Sequence, residues 1–266
     1  MAGQKLGQHF LINEKILSRI ADAVCPPGNV RNAGTPAKEP LVIEIGPGRG
    51  ALTRRLLERA EKVIGVELDA ALARELSSRL PDEKLEVIRA DVLEIDLGAW
   101  GPAVVAGNLP YYITSPIVER ILDMGKACLR AVLLVQKEVA LRLTAKPGTR
   151  DFGYLSARTQ TFADVEYLFG VPAGAFRPPP KVESAVVRLR PRQAPVERSA
   201  EFVTFLGHCF RQKRKTLRNN LYPVYGRAVE GWPERNERAE QLSVGQLLTL
   251  YQRLSPAESG LRSSDS

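Results

Sequence analysis

The sequence predicts an α/β fold in which a doubly wound, mostly parallel sheet precedes a smaller all-helical domain. Short, almost continuously apolar segments alternate with helical segments along most of the chain, as in sheets that helices cover on both faces. A glycine-rich turn follows the first of these apolar segments. Beyond a proline- and arginine-rich stretch at 190–195 the pattern is helical. We therefore expect one domain at 1–192 and a second at 193–266.

The first domain begins with a predicted helix, because apolar residues recur at helical spacing over 11–24. Residues 26–40 are rich in proline, glycine and asparagine and indicate a loop. The apolar runs that follow predict strands, and the segments between them predict helices. The strands are expected at 41–45, 62–67, 85–89, 103–106 and 131–135, and the helices at 51–60, 69–80 and 115–124.

Two more apolar segments, 165–169 and 184–189, predict an antiparallel pair of strands at one edge of the sheet. They are joined through the rigid stretch Phe176-Arg177-Pro178-Pro179-Pro180. The polar tail from Ser255 is expected to be disordered. Helices of the second domain are expected at 199–210, 211–221, 236–242 and 243–254.

Composition indicates a cytoplasmic globular protein with a polyanionic partner. Of the 266 residues, 44% are hydrophobic, yet no apolar run approaches the ~20 residues that a membrane helix needs. The net charge of +8 favours a partner such as nucleic acid. Cys25, Cys128 and Cys209 lie far apart and there are only two histidines, so we expect neither a disulfide framework nor a metal site.

The residues that end three successive predicted strands indicate one ligand crevice. Gly46, Gly48 and Gly50 lie between a strand and a helix, where glycine lets the backbone approach a ligand closely. At the end of the next strand, Glu67 could accept hydrogen bonds from both hydroxyls of a ribose. Asp91 could accept one from the exocyclic amine of an adenine. Together they predict a site for an adenosine-bearing cofactor at the carboxyl edge of the sheet.

Each of these features has a second interpretation. Gly46, Gly48 and Ala51 also fit the relaxed dinucleotide fingerprint, which leaves a nicotinamide or flavin enzyme open. Asp91 taken alone could instead cap the segment that follows it.

The segment Asn108-Leu109-Pro110-Tyr111 ends the fourth strand and indicates what the cofactor is used for. The Asn108 side-chain oxygen and the Leu109 carbonyl could accept both hydrogens of a planar aromatic amine, so that its lone pair points at a sulfonium methyl group. Pro110 offers no competing N–H, and Tyr111 can stack on the base. Catalysis would then come from orientation and electrostatic placement. The plainer interpretation of the segment is an Asx-Pro turn.

A run of cations in the second domain predicts contact with RNA. It lies on the helix expected at 211–221, and its charges could position RNA by its phosphates without reading the sequence. A merely solvated helix face is the alternative. The candidate residues are Arg211, Lys213, Arg214, Lys215 and Arg218.

The order of these motifs resembles that of the ribosomal RNA adenine N6-dimethyltransferases that act on small-subunit RNA. The resemblance covers about residues 4–225. The glycine turn is unspecific, but the segments that begin at Gln8, Asn108 and Phe176 are together very specific. The matching segments are Gln8-His9-Phe10-Leu11, Glu44–Gly50, Glu67, Asp91-Val92, Asn108-Leu109-Pro110-Tyr111-Tyr112-Ile113 and Phe176-Arg177-Pro178-Pro179-Pro180-Lys181-Val182.

The resemblance implies a Rossmann-like class I methyltransferase that uses S-adenosyl-L-methionine. Its N-terminal domain binds the cofactor and carries out catalysis, and its C-terminal helical domain binds RNA. The implied cofactor contacts are His9 and Leu11 through backbone groups, Gly46 at the methionine part, Glu67 at the ribose, Asp91 at the adenine, and Asn108 between cofactor and target. Tyr111 and Phe176 are implied to sandwich the target adenine. Many relatives have asparagine where this chain has His9.

The resemblance also implies a substrate: two adjacent adenosines near the 3′ end of small-subunit (16S) rRNA, dimethylated at N6 by a monomeric enzyme during subunit maturation. A large-subunit rRNA adenine methyltransferase is one alternative. That group usually has Asn-Ile-Pro-Tyr, so Leu109 and the segment Lys137-Glu138-Val139-Ala140 favour the small-subunit group. A ribosome-assembly factor without catalytic activity is a second alternative, which the complete set of Glu67, Asp91 and Asn108 disfavours.

Overall fold

The computed structural model describes residues 9–27, 30–31, 35–36, 39–192 and 199–254. These residues form two compact units. One contains the described residues up to Thr144 together with 162–192, and the other contains Ala145–Thr161 together with 199–254. The expected single division at 192/193 groups 145–161 with the first domain, whereas here this segment belongs to the second unit. The tail from Ser255 lies outside the described residues.

The first unit begins with strand β1 (Phe10–Leu11), helix α1 (Glu14–Val24) and a two-stranded ladder of β2 (Val30–Arg31) and β3 (Thr35–Pro36). Its remaining strands and helices follow in chain order: β4 (Glu39–Ile45), α2 (Ala51–Leu57), β5 (Ala60–Glu67), α3 (Ala70–Arg79), β6 (Leu85–Arg89), β7 (Ala103–Asn108), α4 (Thr114–Asp123), β8 (Cys128–Gln136), α5 (Lys137–Leu143), β9 (Ala163–Val171), β10 (Phe176–Arg177) and β11 (Ser184–Pro191).

Seven of these strands form one sheet in the order β6-β5-β4-β7-β8-β11-β9. The first five are parallel, and β11 pairs antiparallel with both β8 and β9. The α/β class and the antiparallel pair at one edge are therefore confirmed. Strands β4, β7 and β8 are almost fully buried, as their continuous apolar runs predict.

The second unit is helical and encloses its own core. Its helices are α6 (Tyr154–Phe162), which belongs to this unit up to Thr161, α7 (Ser199–Cys209), α8 (Leu217–Tyr225) and α9 (Val244–Leu254). The core of this unit is aromatic at its centre, where the Phe205 ring lies 5.6 Å from that of Tyr251 and 6.0 Å from that of Tyr225. No helix in the described parts of the chain is both long enough and apolar enough to cross a membrane.

Three of the predicted helices differ from those in the structure. The first helix starts at Glu14 and not at residue 11, because the Asn13 side chain caps it by accepting from the Ile16 amide at 3.1 Å. The helix expected at 211–221 starts only at Leu217, because Thr216 caps it. The helix expected at 236–242 consists of short 3-10 turns.

Two helices, α5 and α6, were not expected from the sequence. The loop expected at 26–40 contains the β2–β3 ladder, and strand β11 extends to Pro191, within the proline- and arginine-rich stretch at 190–195.

Candidate functional site

The sheet positions the candidate site at the point where its strand order reverses. After β4 the chain adds β5 and β6 on one side, and β7 and β8 lie on the other. The ends of β4 and β7 are therefore neighbours, and a Cβ atom placed on Gly46 would lie 3.8 Å from the Asn108 carbonyl oxygen. Ligands of open α/β sheets bind in such a crevice. Here a cavity at this edge is lined by predicted site residues from several strands: His9, Leu11, Gly46, Glu67, Asp91, Asn108, Leu109, Pro110 and Tyr111.

The glycine turn follows a path that side chains would obstruct. Gly50 has a φ of +79°, and a Cβ atom there would lie 2.5 Å from the Leu76 Cδ1 atom. Gly48 has a φ of +56°, and a Cβ atom there would lie 3.1 Å from the Phe10 ring. Both positions favour glycine, because an L-residue would be strained at these positive φ angles and the neighbouring side chain would also have to shift. The turn thus keeps backbone N–H and C=O groups close to the cavity.

Glu67 links the second strand to the glycine turn. Its side chain is buried, with 5% exposed, and accepts hydrogen bonds from the Gly48 and Asp69 amides, each at 3.0 Å. These bonds hold the carboxylate at the cavity wall while each oxygen keeps a second lone pair for a ligand. Asp91 also lines the cavity, and its Oδ1 accepts from the Leu93 amide at 2.9 Å. Asp91 therefore bonds to the segment that follows it, as its alternative interpretation expected, and it also lines the crevice.

Asn108 is oriented by the N-terminal segment. Its Nδ2 atom donates to the His9 carbonyl oxygen at 3.0 Å. Because the amide nitrogen is engaged in this way, the Oδ1 atom remains as the acceptor that Asn108 can offer to a ligand. The neighbouring Leu109 amide donates to the Leu134 carbonyl at 3.0 Å, and the Leu109 side chain is buried. The backbone at this point is thereby tied to strand β8.

The Pro110 carbonyl accepts from the Ile113 amide and the Thr114 hydroxyl, which turns the chain into a short 3-10 helix and then α4. Tyr111 lines the cavity, and its hydroxyl lies 2.6 Å from the Ser184 hydroxyl. Burial raises the pKa of Tyr111, and the hydrogen bond with Ser184 acts in the opposite direction. The Tyr111 ring is therefore a fixed, neutral wall of the site.

Phe176 is not brought to the cavity. Its side chain is 3% exposed and packs in the hydrophobic core of the first unit, while its backbone pairs with Leu11 in the β1–β10 ladder. In this arrangement Phe176 holds the N-terminal strand in place and does not line the cavity beside Tyr111.

Two contributors to the site were given no role of their own from the sequence. Glu44 lines the cavity, is 2% exposed, and its Oε2 atom has no hydrogen-bond partner. Burial raises its pKa to about 7, with the Thr53 hydroxyl acting in the opposite direction and the Glu67 charge raising it further. The sequence feature that could have indicated a role for Glu44 is its carboxylate within the apolar run at 41–45. Ser184, the partner of Tyr111, carries no comparable signal.

The predicted RNA-binding cations lie in the second unit, but they do not lie together on one helix. Only Arg218 is helical. Its guanidinium pairs with the Glu230 carboxylate at 2.7 Å, so this charge is already partly neutralised. The Lys213 ammonium donates to the Arg150 carbonyl at 2.7 Å. The others precede α8 and are exposed to solvent: Arg211, Arg214 and Lys215.

A groove in the same unit collects further cations. Lys213, Arg150 and Arg238 all line it, and Glu240 is the carboxylate among its walls. Arg238 lies 4.0 Å from Glu240, so one of the three positive charges has a nearby counter-charge. The walls of this groove therefore carry a net positive charge.

Comparison with protein-family models gives one match to almost the whole chain. A model described as ribosomal RNA adenine dimethylase matches residues 2–255. Among curated proteins, the ribosomal RNA small subunit methyltransferase A of Chlorobaculum parvum is 41% identical over 98% of this chain and 92% of its own length. The protein of the same name from Acidobacterium capsulatum is 42% identical, over 94% of this chain and 90% of its own length.

Solved structures resemble the fold along most of the chain. A dimethyladenosine transferase from Plasmodium falciparum has a TM-score of 0.74 at 26% identity, covering 91% of this chain and 96% of its own. The 23S rRNA methyltransferase ErmE has a TM-score of 0.69 at 30% identity, covering 92% of this chain and 99% of its own.

Proposed function

The chain belongs to the ribosomal RNA adenine dimethylase family, and on that premise we propose that it dimethylates N6 of two adjacent adenosines near the 3′ end of small-subunit rRNA. The methyl donor is S-adenosyl-L-methionine. The observation that carries the proposal is the oriented Asn108 amide at the switch point of the sheet, next to the Glu67 carboxylate and the glycine turn. The names of the curated relatives support the small-subunit substrate.

The residues around the crevice fit this cofactor. Glu67 has lone pairs left for ribose hydroxyls, and Asp91 lies one strand further along the same edge, where the adenine amine would lie. The unpartnered Glu44 Oε2 needs a hydrogen-bond donor or a cation, which an amino-acid portion supplies. Gly46 lets that portion approach the backbone, and the cofactor contacts of His9 and Leu11 are through their main chain.

The bound cofactor supplies an electrophilic methyl group. Asn108 Oδ1 and the Leu109 carbonyl accept the two N6 hydrogens, so that the nitrogen lone pair turns toward that methyl group. Tyr111 stacks on the flipped base. N6 then sheds a proton, and the monomethylated base keeps one hydrogen for the second transfer. No strong base is required, because alkylation makes the nitrogen acidic. Phe176 would need to leave its buried position to form the second face of the sandwich.

The second unit would hold the RNA through phosphate contacts. The exposed Arg211, Arg214 and Lys215 and the groove that contains Lys213 support this role, while Arg218 contributes less because of Glu230. Such contacts add affinity that falls with salt and does not depend on base sequence. We further propose that the enzyme works as a monomer in the cytoplasm during subunit maturation. Ribosomal subunits mature there, and the buried cysteines, which are free thiols, suit a reducing compartment.

Labelled-methyl transfer to small subunits that lack the modification tests the function. We expect label in N6,N6-dimethyladenosine at two adjacent positions near the 3′ end. Large subunits are offered in a parallel reaction, and label that enters only their RNA would identify the large-subunit alternative. Cofactor binding by calorimetry without any transfer would identify an assembly factor that lost catalysis.

Asn108→Ala tests the chemistry. Removal of the Oδ1 acceptor should lower kcat by roughly 100-fold or more, since orientation and placement of the amine are lost, while the cofactor Kd changes much less. Asn219→Ala, the same chemical change at an exposed helical position, is the control and should transfer methyl groups normally. Normal dimethylation by Asn108→Ala would contradict the mechanism.

A further inference from the structure

His9 joins three of the segments that build the site. Its carbonyl oxygen accepts from Asn108 Nδ2 at 3.0 Å. Its Nδ1 atom lies 2.8 Å from the Pro178 carbonyl oxygen. Its ring stacks on the Tyr111 ring, with centroids 5.9 Å apart and planes inclined by 26°. Backbone, ring nitrogen and ring face of one residue thus each contact a different segment of the first unit.

The contact with Pro178 assigns the proton. A carbonyl oxygen accepts and never donates, so Nδ1 must carry a hydrogen for this bond to form. This bond and the stacking on Tyr111 restrict both side-chain torsions of His9. A side chain restrained at two points also restrains the main chain that carries it, including the carbonyl that Asn108 contacts.

The orientation of the Asn108 amide depends on that carbonyl. If the carbonyl moves away, the amide can rotate by half a turn and present its NH2 group to the cavity. The two N–H groups of the Asn108 amide would then face the N6 hydrogens of the target adenine. The lone pair of N6 would not be turned toward the methyl group. An error of this kind is costly because small displacements in an oriented site lower rates strongly.

We propose that the His9 imidazole is a positioning residue for methyl transfer, which holds the Asn108 amide in its accepting orientation through the Nδ1–H bond to Pro178. The cofactor contact assigned to His9 above involves only its main chain, so the imidazole has a separate role. This inference rests on the proposed function, because the reaction it tunes is the transfer to N6.

Three substitutions separate the parts of this role. His9→Asn keeps an N–H donor for the Pro178 carbonyl but has no ring. His9→Phe keeps a ring against Tyr111 but has no donor. His9→Ala lacks both. For each variant, kcat and KM for unmodified small subunits are measured together with the cofactor Kd by calorimetry and the melting temperature.

We expect His9→Phe and His9→Ala to lower kcat by roughly 10- to 100-fold, with cofactor Kd and melting temperature close to those of the unchanged protein. His9→Asn should restore most of kcat. Wild-type kcat in His9→Phe would overturn the proposal, and so would an equal loss in His9→Asn and His9→Ala. A cofactor Kd that weakens as much as kcat falls would also overturn it, since His9 would then act on binding alone.

These outcomes differ from a failure of the proposed function. If the unchanged protein transfers no methyl group to small subunits, the substrate is wrong, and the His9 variants carry no comparison on that RNA. The same series is then run on the RNA that does accept label, where the role of His9 in orienting Asn108 gives the same ranking of variants.

Discussion

At the scale of single residues, the site depends on side chains whose polar atoms are held by backbone groups. Glu67 is fixed by two amides, and Asn108 by one carbonyl. Each keeps lone pairs that point to no protein donor and are available to a ligand. Glu44 differs: it is as buried as Glu67, but its Oε2 atom has no hydrogen-bond partner. Such a group is costly in the free protein and indicates a position that a ligand completes.

Glu44 should make stability depend on pH. Its pKa of about 7 in the folded protein exceeds the ordinary value of 4.5, so the folded state binds more protons between these two values. The free energy of unfolding therefore falls as pH rises through this interval, and the full penalty is present above about pH 7. Removal of the charge should recover stability on the order of 3 kcal/mol at pH 8.

Urea unfolding of Glu44→Gln at pH 8 and at pH 4.5 measures this effect. The variant should exceed the unchanged protein in stability at pH 8, and the difference should largely vanish at pH 4.5. Glu94→Gln, at an exposed carboxyl, is the control and should show no such pH dependence. A stability difference that is the same at both pH values would show that Glu44 is not the titrating group.

At the scale of elements, the turn between α7 and α8 determines where the cations lie. The Asn220 side chain is buried at the start of α8, where its Nδ2 donates to the Cys209 and Gln212 carbonyls and its Oδ1 accepts from the Gln212 amide. The Asn220 side-chain amide thus bonds to backbone groups of a segment that is not helical. The turn leaves Arg211, Arg214 and Lys215 exposed to solvent and outside any helix.

Asn220→Ala should disrupt this turn. It removes a partner from the Cys209 carbonyl and the Gln212 amide, while the Gln212 carbonyl still accepts from the Lys215 amide, and we expect the unfolding free energy of the second unit to fall by roughly 1–3 kcal/mol. Affinity for small-subunit RNA should fall as well, because the cations lose their fixed positions. Asn219→Ala, the exposed neighbour, should change neither quantity. Unchanged urea unfolding and filter-binding affinity in Asn220→Ala would contradict this account.

At the scale of the whole molecule, each unit has a hydrophobic core of its own. The first core fills the space between α1, α2 and one face of the sheet. The second is aromatic and includes the fully buried Phe202 and Phe205. The chain has two tryptophans. Trp100 lies in the first unit and Trp232, which is 5% exposed, lies in the second, so each unit carries its own fluorescent reporter.

Phe205→Ala should destabilise the second unit selectively. Truncation of a buried phenylalanine costs roughly 3–5 kcal/mol. The unfolding midpoint seen by Trp232 in a Trp100→Phe background should move to lower urea, while that seen by Trp100 in a Trp232→Phe background should stay. Val224→Ala, at an exposed position of the same unit, serves as control. Equal shifts at both tryptophans would show that the units unfold as one.

Much of the first unit followed from local patterns. Predicted strands at 85–89 and 184–189 agree closely with β6 and β11, because runs of apolar residues between turn signals report strands directly. The carboxyl ends of parallel strands share one edge, so Gly46, Glu67, Asp91 and Asn108 could be placed in one crevice before any coordinates. Family membership is likewise confirmed by the match across 2–255.

The features that were missed depend on contacts between residues far apart in the chain. Burial of Phe176 follows from the pairing of β1 with β10, which joins residues more than 160 positions apart. The delayed start of α8 follows from Thr216 and from the buried Asn220 side chain, against a helical period that extends further back.

The amino-acid sequence by itself determined the α/β class, the strand ends that form the crevice and the identity of the polar groups there, because periodicity, glycine and strand direction are local or follow from topology. Only the tertiary structure decided which way those groups point. The Asn108 amide is oriented by a carbonyl 99 positions away. The Glu44 side chain is buried by neighbouring strands and helices. Orientation and burial are set by packing between distant segments, and no local pattern records them.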